Sequence, residues 1–398
     1  MTDRILRLAS RGDGVTADGL HVPFAAPGDL VGAGGRLEPG PHRQVPPCRH
    51  FPECGGCQLQ HVDDAAYAVF VQDRIASALA AQGIAAPELR SVHLSPPNSR
   101  VRAALRFERR GKSVLLGFNA EKSHRIIDMR ECHVLRPELF ALVEPLRGLL
   151  RIAAPPRGAG TVRMVLADQG ADVLIEGASV EGLAAAEAIT AFAAAQRLAR
   201  LAVDDGAGPQ TLWEPEPVTL ALGHPAVPVG LPHGAFAQAT RDGEAALVAA
   251  VRAAVGDART VADLFAGLGT FALSLPGRVY AAEGARDPAL VLKLAADRVQ
   301  RPVFVEHRDL FRRPLTAAEL DRFAAVVLDP PRAGAKEQVA EISAARVPRI
   351  AYVSCNPATF ARDARRLQEG GYALDWVQPV GQFRWSLHVE LAAAFSRR

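Results

Sequence analysis

The five cysteines of the sequence fall into two groups. Cys48, Cys54 and Cys57 lie close together, Cys132 follows later, and Cys355 lies alone near the end. Disulfides are rare in a reducing cytosol, so a cysteine cluster indicates metal ligation, and the two glycines before Cys57 allow the tight turn of a ligand loop. Four thiolates can hold a zinc ion or an iron–sulfur cluster, and short Cys-x2-Cys turns favour zinc. The spacing therefore predicts four metal ligands and leaves one cysteine for other chemistry.

Cys355 lies in the segment 354–357, Ser-Cys-Asn-Pro, between a predicted strand at 349–353 and a helix that begins near Ala358. The start of a helix lowers the pKa of a nearby thiol through its free amide groups and its dipole. We therefore expect Cys355 to be a reactive nucleophile rather than an inert buried thiol.

The elements that position this cysteine are predicted from the pattern after about residue 234, where strands and helices alternate as in a parallel α/β sheet. A buried strand at 260–265 leads into a turn with Gly267 and Gly269, and a helix is predicted from Phe271. Glycines at this place let a nucleotide approach the backbone in doubly wound folds. Later strands are predicted at 278–282, 303–305, 324–328 and 349–353.

Acidic residues follow three of these strands: Glu283, Asp309 and Asp329. The carboxyl ends of parallel strands meet at one crevice, and Glu283 has the position at which an acid binds ribose hydroxyls. Each acid alone could simply cap the next helix. Their common register predicts one binding site.

The chain divides into three predicted regions: a β-rich module at 1–42, a central domain at 43–233 and a catalytic domain at 234–398. An amphipathic helix is predicted over 63–82, where it could also pack on the catalytic domain. Apolar residues alternate with arginines over 101–107, which indicates a half-buried strand with a basic open face.

Charge is a weaker guide to function. Between Arg90 and Arg136 there are 11 basic residues and four acids, which fits either a solvated face or an RNA-binding face. The side chains available for phosphates are Arg102, Arg106, Arg109, Arg110 and Lys112. A net charge of +3 is compatible with nucleic acid but does not indicate it.

The sequence lacks the pattern of a secretory signal and has no apolar run of the length that spans a bilayer. These features predict a cytoplasmic protein with no membrane partner. They give no indication of an obligate protein partner.

Together the motifs resemble those of the bacterial RNA 5-methyluridine methyltransferases, in particular the iron–sulfur branch that acts on 23S ribosomal RNA. The similarity runs from Ile5 to Phe395, and its most specific segments are 48–61, 236–238, 263–270, 329–334, 354–357 and 388–390. It implies a Rossmann-like class I S-adenosylmethionine methyltransferase domain, a β-rich central domain and an N-terminal TRAM module, an OB-like RNA-binding barrel. The module is predicted to be truncated, with its last strands missing between Leu30 and residue 46.

The resemblance also implies the cofactors and the site residues. In place of the zinc favoured by spacing, it implies a [4Fe–4S] cluster on Cys48, Cys54, Cys57 and Cys132. It implies Cys355 as nucleophile and Glu390 as base. The residues that it implies as contacts of S-adenosylmethionine are Gln238, Phe265, Thr270, Glu283, Asp309 and Asp329. They add to Gly267 and Gly269, which the turn after the first strand already indicated. Thr240 and Thr270 depart from the family, which tends to have asparagine there, but threonine keeps a donor and an acceptor.

The implied reaction requires these residue types. Carbon 5 of uracil is too weak a nucleophile for a sulfonium methyl group, so a thiolate must first add at carbon 6 and generate an enolate. A carboxylate must then remove the proton from carbon 5. The target base must be flipped or lie in a loop. The resemblance favours 23S ribosomal RNA as partner over the T-loop of transfer RNA.

Three other classes of protein share part of this pattern of motifs. RNA cytosine-5 methyltransferases usually carry a second cysteine in the Asp-Pro-Pro segment, and this chain has none there. Amino-group methyltransferases have an aromatic residue where this chain has Arg332. A non-catalytic RNA-binding iron–sulfur protein with a methyltransferase fold would be expected to lose Cys355 or Glu390, and both are present.

Overall fold

Short strands build the N-terminal part of the chain in the computed structural model, which describes residues 3–85 and 87–398. Two three-stranded antiparallel sheets, ordered β1-β5-β6 and β2-β3-β4, are formed by β1 (Asp3–Arg4), β2 (Arg7–Leu8), β3 (Gly14–Val15), β4 (His21–Val22), β5 (Leu30–Val31) and β6 (Leu37–Glu38). Strand β6 pairs with β5 in the segment where strands were predicted to be missing, so that expectation was wrong at this point.

Helix α1 (Asp64–Ala80) begins where the sequence predicted it. The side chain of Asp63 caps it by accepting a hydrogen bond from the amide of Ala66 at 2.8 Å. Its buried face includes Tyr67, Phe70 and Ile75. These side chains share one hydrophobic core with Phe360 and other residues of the C-terminal part, so α1 packs on the catalytic sheet.

A six-stranded sheet forms the centre of the molecule, in the order β10-β9-β11-β12-β13-β14. Its strands are β9 (Arg102–Arg110), β10 (Ser113–Gly117), β11 (Ala159–Ala167), β12 (Gly170–Glu176), β13 (Arg200–Asp204) and β14 (Gln210–Trp213), preceded in the chain by the short strands β7 (Glu88–Leu89) and β8 (His93–Leu94). Helices α2 (Pro137–Phe140), α3 (Val143–Ala153) and α4 (Leu183–Ala195) complete this part. Ala103, Leu105 and Phe107 are buried while Arg106 is exposed, which confirms the predicted alternation.

The C-terminal part contains a larger, mainly parallel sheet. Its strands are β17 (Thr260–Leu264), β18 (Arg278–Glu283), β19 (Val303–His307), β20 (Ala325–Leu328), β21 (Arg349–Ser354), β22 (Tyr372–Gly381) and β23 (Glu390–Arg397), and a hairpin of β15 (Thr219–Leu222) and β16 (Val227–Gly230) precedes them. The accompanying helices are α5 (Arg241–Val255), α6 (Arg286–Arg298), α7 (Ala317–Leu320), α8 (Lys336–Ala344) and α9 (Pro357–Glu369).

The order of this sheet is β19-β18-β17-β20-β21-β23-β22-β7. Strands β17 to β21 are parallel, and β23 runs antiparallel between β21 and β22. The chain order reverses between β17 and β20, and ligands of doubly wound sheets bind at the carboxyl ends of strands at such a switch point.

The helix predicted from Phe271 is absent from the described structure, which has turns over residues 270–274. Pro276 and Gly277 follow at once, and β18 begins at Arg278, so the connection is too short for a regular helix. In the described part of the chain, the helices are all too short or too polar to cross a membrane.

Candidate active site

A pocket with about 1160 Å³ of empty space opens at the switch point of the parallel sheet. Seven of the predicted site residues line it: Gln238, Phe265, Gly267, Thr270, Asp329, Cys355 and Glu390. They lie after the ends of β17, β20 and β21, at the start of β23 and in the segment before α5. The sheet therefore brings the predicted nucleophile, the predicted base and most of the predicted cofactor contacts into one place.

Three other predicted contacts lie outside the pocket lining. Gly269 lets the loop pack closely against Leu292 of α6. A Cβ atom at this position would lie 2.2 Å from a methyl carbon of Leu292 and would clash with it. Asp309 accepts a hydrogen bond from the amide of Phe311 at 3.0 Å, and the Phe311 ring packs against that of Phe265, with 5.4 Å between the ring centres.

Glu283 holds the glycine loop in place. Its carboxylate accepts hydrogen bonds from the amides of Gly267 at 2.8 Å and Ala285 at 2.7 Å. Phe265 and Gly267 both have positive φ angles, 65° and 55°. The chain turns sharply here, and Glu283 fixes the turn from the neighbouring strand.

Cys355 lies between the end of β21 and the start of α9. Burial raises the pKa of its thiol, the charges of Glu390 and Asp329 raise it further, and Arg332 acts in the opposite direction. The prediction that the helix start leaves this thiol with a lowered pKa was therefore wrong. Burial and two acids outweigh the helix, whose Ala358 amide donates to the capping side chain of Asn356.

Glu390 is the first residue of β23 and is 5% exposed. Burial and the nearby charge of Asp329 raise the pKa of its carboxyl group to about 8, while Gln382 and Arg102 act to lower it. Burial also raises the pKa of Asp329 to about 7. A carboxyl group with such a pKa can exchange a proton near neutral pH, as a general base must.

Sequence reasoning assigned no role to Gln382, which contacts the predicted base directly. Its side chain donates hydrogen bonds to the carboxylate of Glu390 and to Oε1 of Gln238, the second at 2.8 Å. The only local signal for it is a polar residue at the end of the largely apolar strand β22. Its partners lie 144 and eight positions away in the sequence.

The four clustered cysteines line a second cavity, of about 410 Å³ of empty space. Burial is the main cause that raises the pKa of each thiol, and the charge of Cys132 adds to it at Cys48, Cys54 and Cys57. The four side chains are therefore near neighbours, as their grouping predicted. Within the described residues, no three His, Cys, Asp or Glu side chains are arranged to hold a single metal ion.

The sequence of this chain is similar to those of several known RNA methyltransferases. Residues 289–398 match the family model of tRNA (uracil-5-)-methyltransferases. The chain is 55% identical over 396 residues to an uncharacterized RNA methyltransferase of Zymomonas mobilis, with 99% of each chain covered. It is 32% identical over 427 aligned positions to the 23S rRNA (uracil(1939)-C(5))-methyltransferase of Chromohalobacter salexigens, with 99% of this chain and 88% of that one covered.

The chain belongs to the S-adenosylmethionine-dependent RNA (uracil-5)-methyltransferases. A tRNA (uracil-54, C5)-methyltransferase of Pyrococcus abyssi, solved with S-adenosyl-L-homocysteine, has the same fold, with a TM-score of 0.76, 22% identity and 99% of both chains covered. The predicted class I methyltransferase fold is thereby confirmed.

The basic face of this methyltransferase differs from the sequence prediction in detail. Arg106 lines an open groove together with Phe118, Lys122 and His124. Arg109 instead donates hydrogen bonds to backbone carbonyl groups, among them that of Gly111 at 2.9 Å. The remaining arginine of this hairpin end, at position 110, forms an ion pair with Glu108.

Proposed function

We propose that this methyltransferase methylates carbon 5 of a uracil in 23S ribosomal RNA through a covalent adduct between Cys355 and carbon 6 of the base. The observation that carries this proposal is that Cys355 and Glu390 line one pocket at the carboxyl edge of the sheet. The ribosomal target is supported by the 32% identical relative from Chromohalobacter salexigens, whose name states a 23S rRNA substrate.

The reaction begins when the thiolate of Cys355 adds to carbon 6, which moves an electron pair of the ring onto carbon 5 and the oxygen at carbon 4. Carbon 5 then attacks the methyl group, and the sulfonium of S-adenosylmethionine becomes a neutral thioether. Glu390 takes the proton from carbon 5, and the electron pair left behind expels the thiolate. Because the pKa of Cys355 is raised, its ionisation relies on Arg332 and on the positive charge of the methyl donor.

The residues proposed to bind S-adenosylmethionine are the six implied by the family, together with the two glycines of the loop after β17: Gln238, Phe265, Thr270, Glu283, Asp309 and Asp329, with Gly267 and Gly269. Five of them line the pocket, and Glu283, Gly269 and Asp309 adjoin it through the loop and the turn that they support. Phe265 offers an aromatic face, and the backbone of Gly267 offers close approach.

Cys48, Cys54, Cys57 and Cys132 are proposed to hold a [4Fe–4S] cluster. The donor set fits, because four thiols surround one cavity whose remaining walls include apolar side chains such as Phe118 and Val134. All four lie outside the catalytic sheet, so the proposed role is structural or RNA-positioning rather than electron transfer.

The assignment of nucleophile and base is tested with two single variants and the double variant. Cys355→Ala should bind S-adenosylmethionine and RNA but form no covalent adduct and no product. Glu390→Gln should add the thiolate, transfer the methyl group and then stall, which gives an RNA–protein band on a denaturing gel. Cys355→Ala/Glu390→Gln should show no band. Wild-type turnover by Glu390→Gln, or a band from Cys355→Ala, would contradict the assignment.

The RNA target is tested separately, in a strain that lacks this gene. Mapping of 5-methyluridine in its total RNA should reveal the loss of one 23S ribosomal RNA site, restored by the wild-type gene and not by the Cys355→Ala variant. Loss of 5-methyluridine only in the T-loop of transfer RNA would show that transfer RNA, and not 23S ribosomal RNA, is the target. Loss of 5-methylcytidine would overturn the uracil assignment.

A further inference from the structure

The side chain of Gln382 is almost completely buried, at 2% exposed, and all of its polar atoms have partners. It lies just after β22, beside the start of α5. Its Oε1 accepts hydrogen bonds from the backbone amides of Ala239 at 3.0 Å and Thr240 at 3.3 Å. A backbone N–H can only donate, so these two contacts fix which end of the Gln382 amide is oxygen.

The orientation of Gln382 determines that of its neighbours. Its Nε2 group donates one hydrogen bond to the Glu390 carboxylate and the other to Oε1 of Gln238. The oxygen end of Gln238 is therefore turned toward Gln382, and its own NH₂ group is the donor left for a ligand in the pocket. One amide thus sets the polarity of a predicted methyl-donor contact and holds the predicted base.

Tight packing keeps this amide in place. A Cβ atom added at Gly243, in the first turn of α5, would lie 2.7 Å from Cβ and 3.1 Å from Oε1 of Gln382. The absence of a side chain at Gly243 lets the helix approach the glutamine. The close approach of α5 therefore restricts movement of the Gln382 side chain.

We propose that Gln382 is a positioning residue for the methylation reaction, which orients the Gln238 amide with its donor toward the pocket and holds Glu390 as a carboxylate for removal of the carbon 5 proton. This inference rests on the proposed role of Glu390. It adds a residue that acts through two others and does not itself touch the substrate.

The charges around Glu390 explain why such a donor is needed. Burial and Asp329 both disfavour the carboxylate form of Glu390, and Arg102 favours it. Cys355 lines the same pocket, and the charge of Glu390 raises the pKa of its thiol. When carbon 5 loses its proton, the methyl donor has already lost its positive charge, so Gln382 and Arg102 are the groups that still stabilise the anion.

The test uses Gln382→Met, which keeps the side-chain length but removes both donors and the acceptor. Proton removal should slow at least about tenfold, as expected for loss of a hydrogen bond to a charged group. The covalent RNA–protein band should therefore accumulate at pH 7.5. Its decay should require a pH about one to two units higher than in the wild type. Gln382→Glu adds a like charge and should move the decay profile further upward.

A matched control is Gln338→Met, which alters another buried glutamine of the same sheet domain. Gln338 is 1% exposed, and its amide bonds only to the backbone N–H and C=O of Leu315, at 2.8 and 3.0 Å. This variant should lose stability without accumulating the adduct or moving the pH profile. If Gln382→Met behaves like Gln338→Met, the role of Gln382 is structural and the inference is wrong.

Glu390→Gln separates this inference from the function on which it rests. If Glu390→Gln traps the adduct and Gln382→Met does not, only the inference fails. If neither variant traps the adduct, Glu390 is not the base, and the proposed positioning role of Gln382 fails as well.

Discussion

The guanidinium group of Arg102 lies 4.5 Å from the centre of the Phe236 ring. Arg102 belongs to β9 of the central sheet, whereas Phe236 lines the catalytic pocket, so this contact joins the central sheet to the pocket. Burial and the charge of Arg100 lower the pKa of Arg102 to about 10, against the opposing charges of Glu390 and Cys355. Arg102 is therefore a cation beside the pocket and not part of the open basic face.

This position leads to a prediction about pH. Glu390 must be deprotonated to accept the carbon 5 proton, and its pKa is raised to about 8, so decay of the wild-type adduct should accelerate as the pH rises through about 8. Arg102→Met removes a charge that lowers this pKa. Its decay profile, measured by quenched single turnover, should shift to higher pH. Arg110→Met is the control and should leave the profile unchanged.

A second prediction concerns RNA binding in the groove of Arg106 and Lys122. Arg106→Ala should weaken binding and reduce the slope of log affinity against log salt by about one, as expected when one phosphate contact is lost. Lys122→Ala should change the slope less, because Lys122 is paired with Glu121. Arg110→Ala should change the slope less, because Arg110 is already paired with Glu108. Affinity for S-adenosylmethionine should be unchanged in all three. Equal slopes for Arg106→Ala and wild type would leave that arginine on a merely solvated face.

Local patterns were sufficient to predict much of the fold. Strands β17 to β21 begin and end within about two residues of the predictions, because buried apolar runs and glycine turns are encoded locally. Asp329 and Cys355 of the pocket lining were predicted in the same way, since parallel strands end at one edge, whereas Gln238 and Glu390 were implied only by the family resemblance. Four of the five cysteines could be assigned to one metal site from their spacing, so the sequence alone distinguished Cys355 from the clustered cysteines.

What the sequence did not predict depends on contacts between distant segments. The raised pKa of Cys355 comes from burial and from Glu390 and Asp329, which lie on other strands. Gln382 gains its partners only when β22 folds against α5. Arg102 follows the same alternation as Arg106, yet the packing of β9 against the catalytic part places it beside the pocket.

The proposed cluster gives a third prediction. Protein purified without oxygen should be brown and contain about four iron atoms per chain, as a [4Fe–4S] cluster requires. Replacement of Cys132 by serine should bleach it, whereas Cys355→Ala should keep the colour and the iron, because Cys355 lines the other pocket. One zinc ion per chain without iron would overturn the cluster and return the site to the interpretation that spacing alone favoured.

The last prediction concerns Asp263, which lies in β17 beneath the glycine loop and is fully buried. Burial and the charges of Asp329 and Glu283 raise the pKa of its carboxyl group to about 8, while a weaker interaction with the amide of Ala272 acts to lower it. The folded protein therefore holds a proton on Asp263 at a pH where the unfolded chain, with a pKa near 4, has lost it.

The sign of the stability effect follows from that difference in pKa. Between about pH 4 and pH 8 the folded state binds more protons, so the contribution of Asp263 to the free energy of unfolding falls as the pH rises, by about 1.4 kcal/mol per pH unit. In Asp263→Asn this contribution is gone, so the melting temperature of the ligand-free variant should fall less between pH 6 and pH 8 than that of the wild type. Asp257→Asn, at an exposed aspartate paired with Arg349, should retain the wild-type slope. Parallel melting profiles for Asp263→Asn and wild type would mean that Asp263 stays ionised in the folded protein despite its burial.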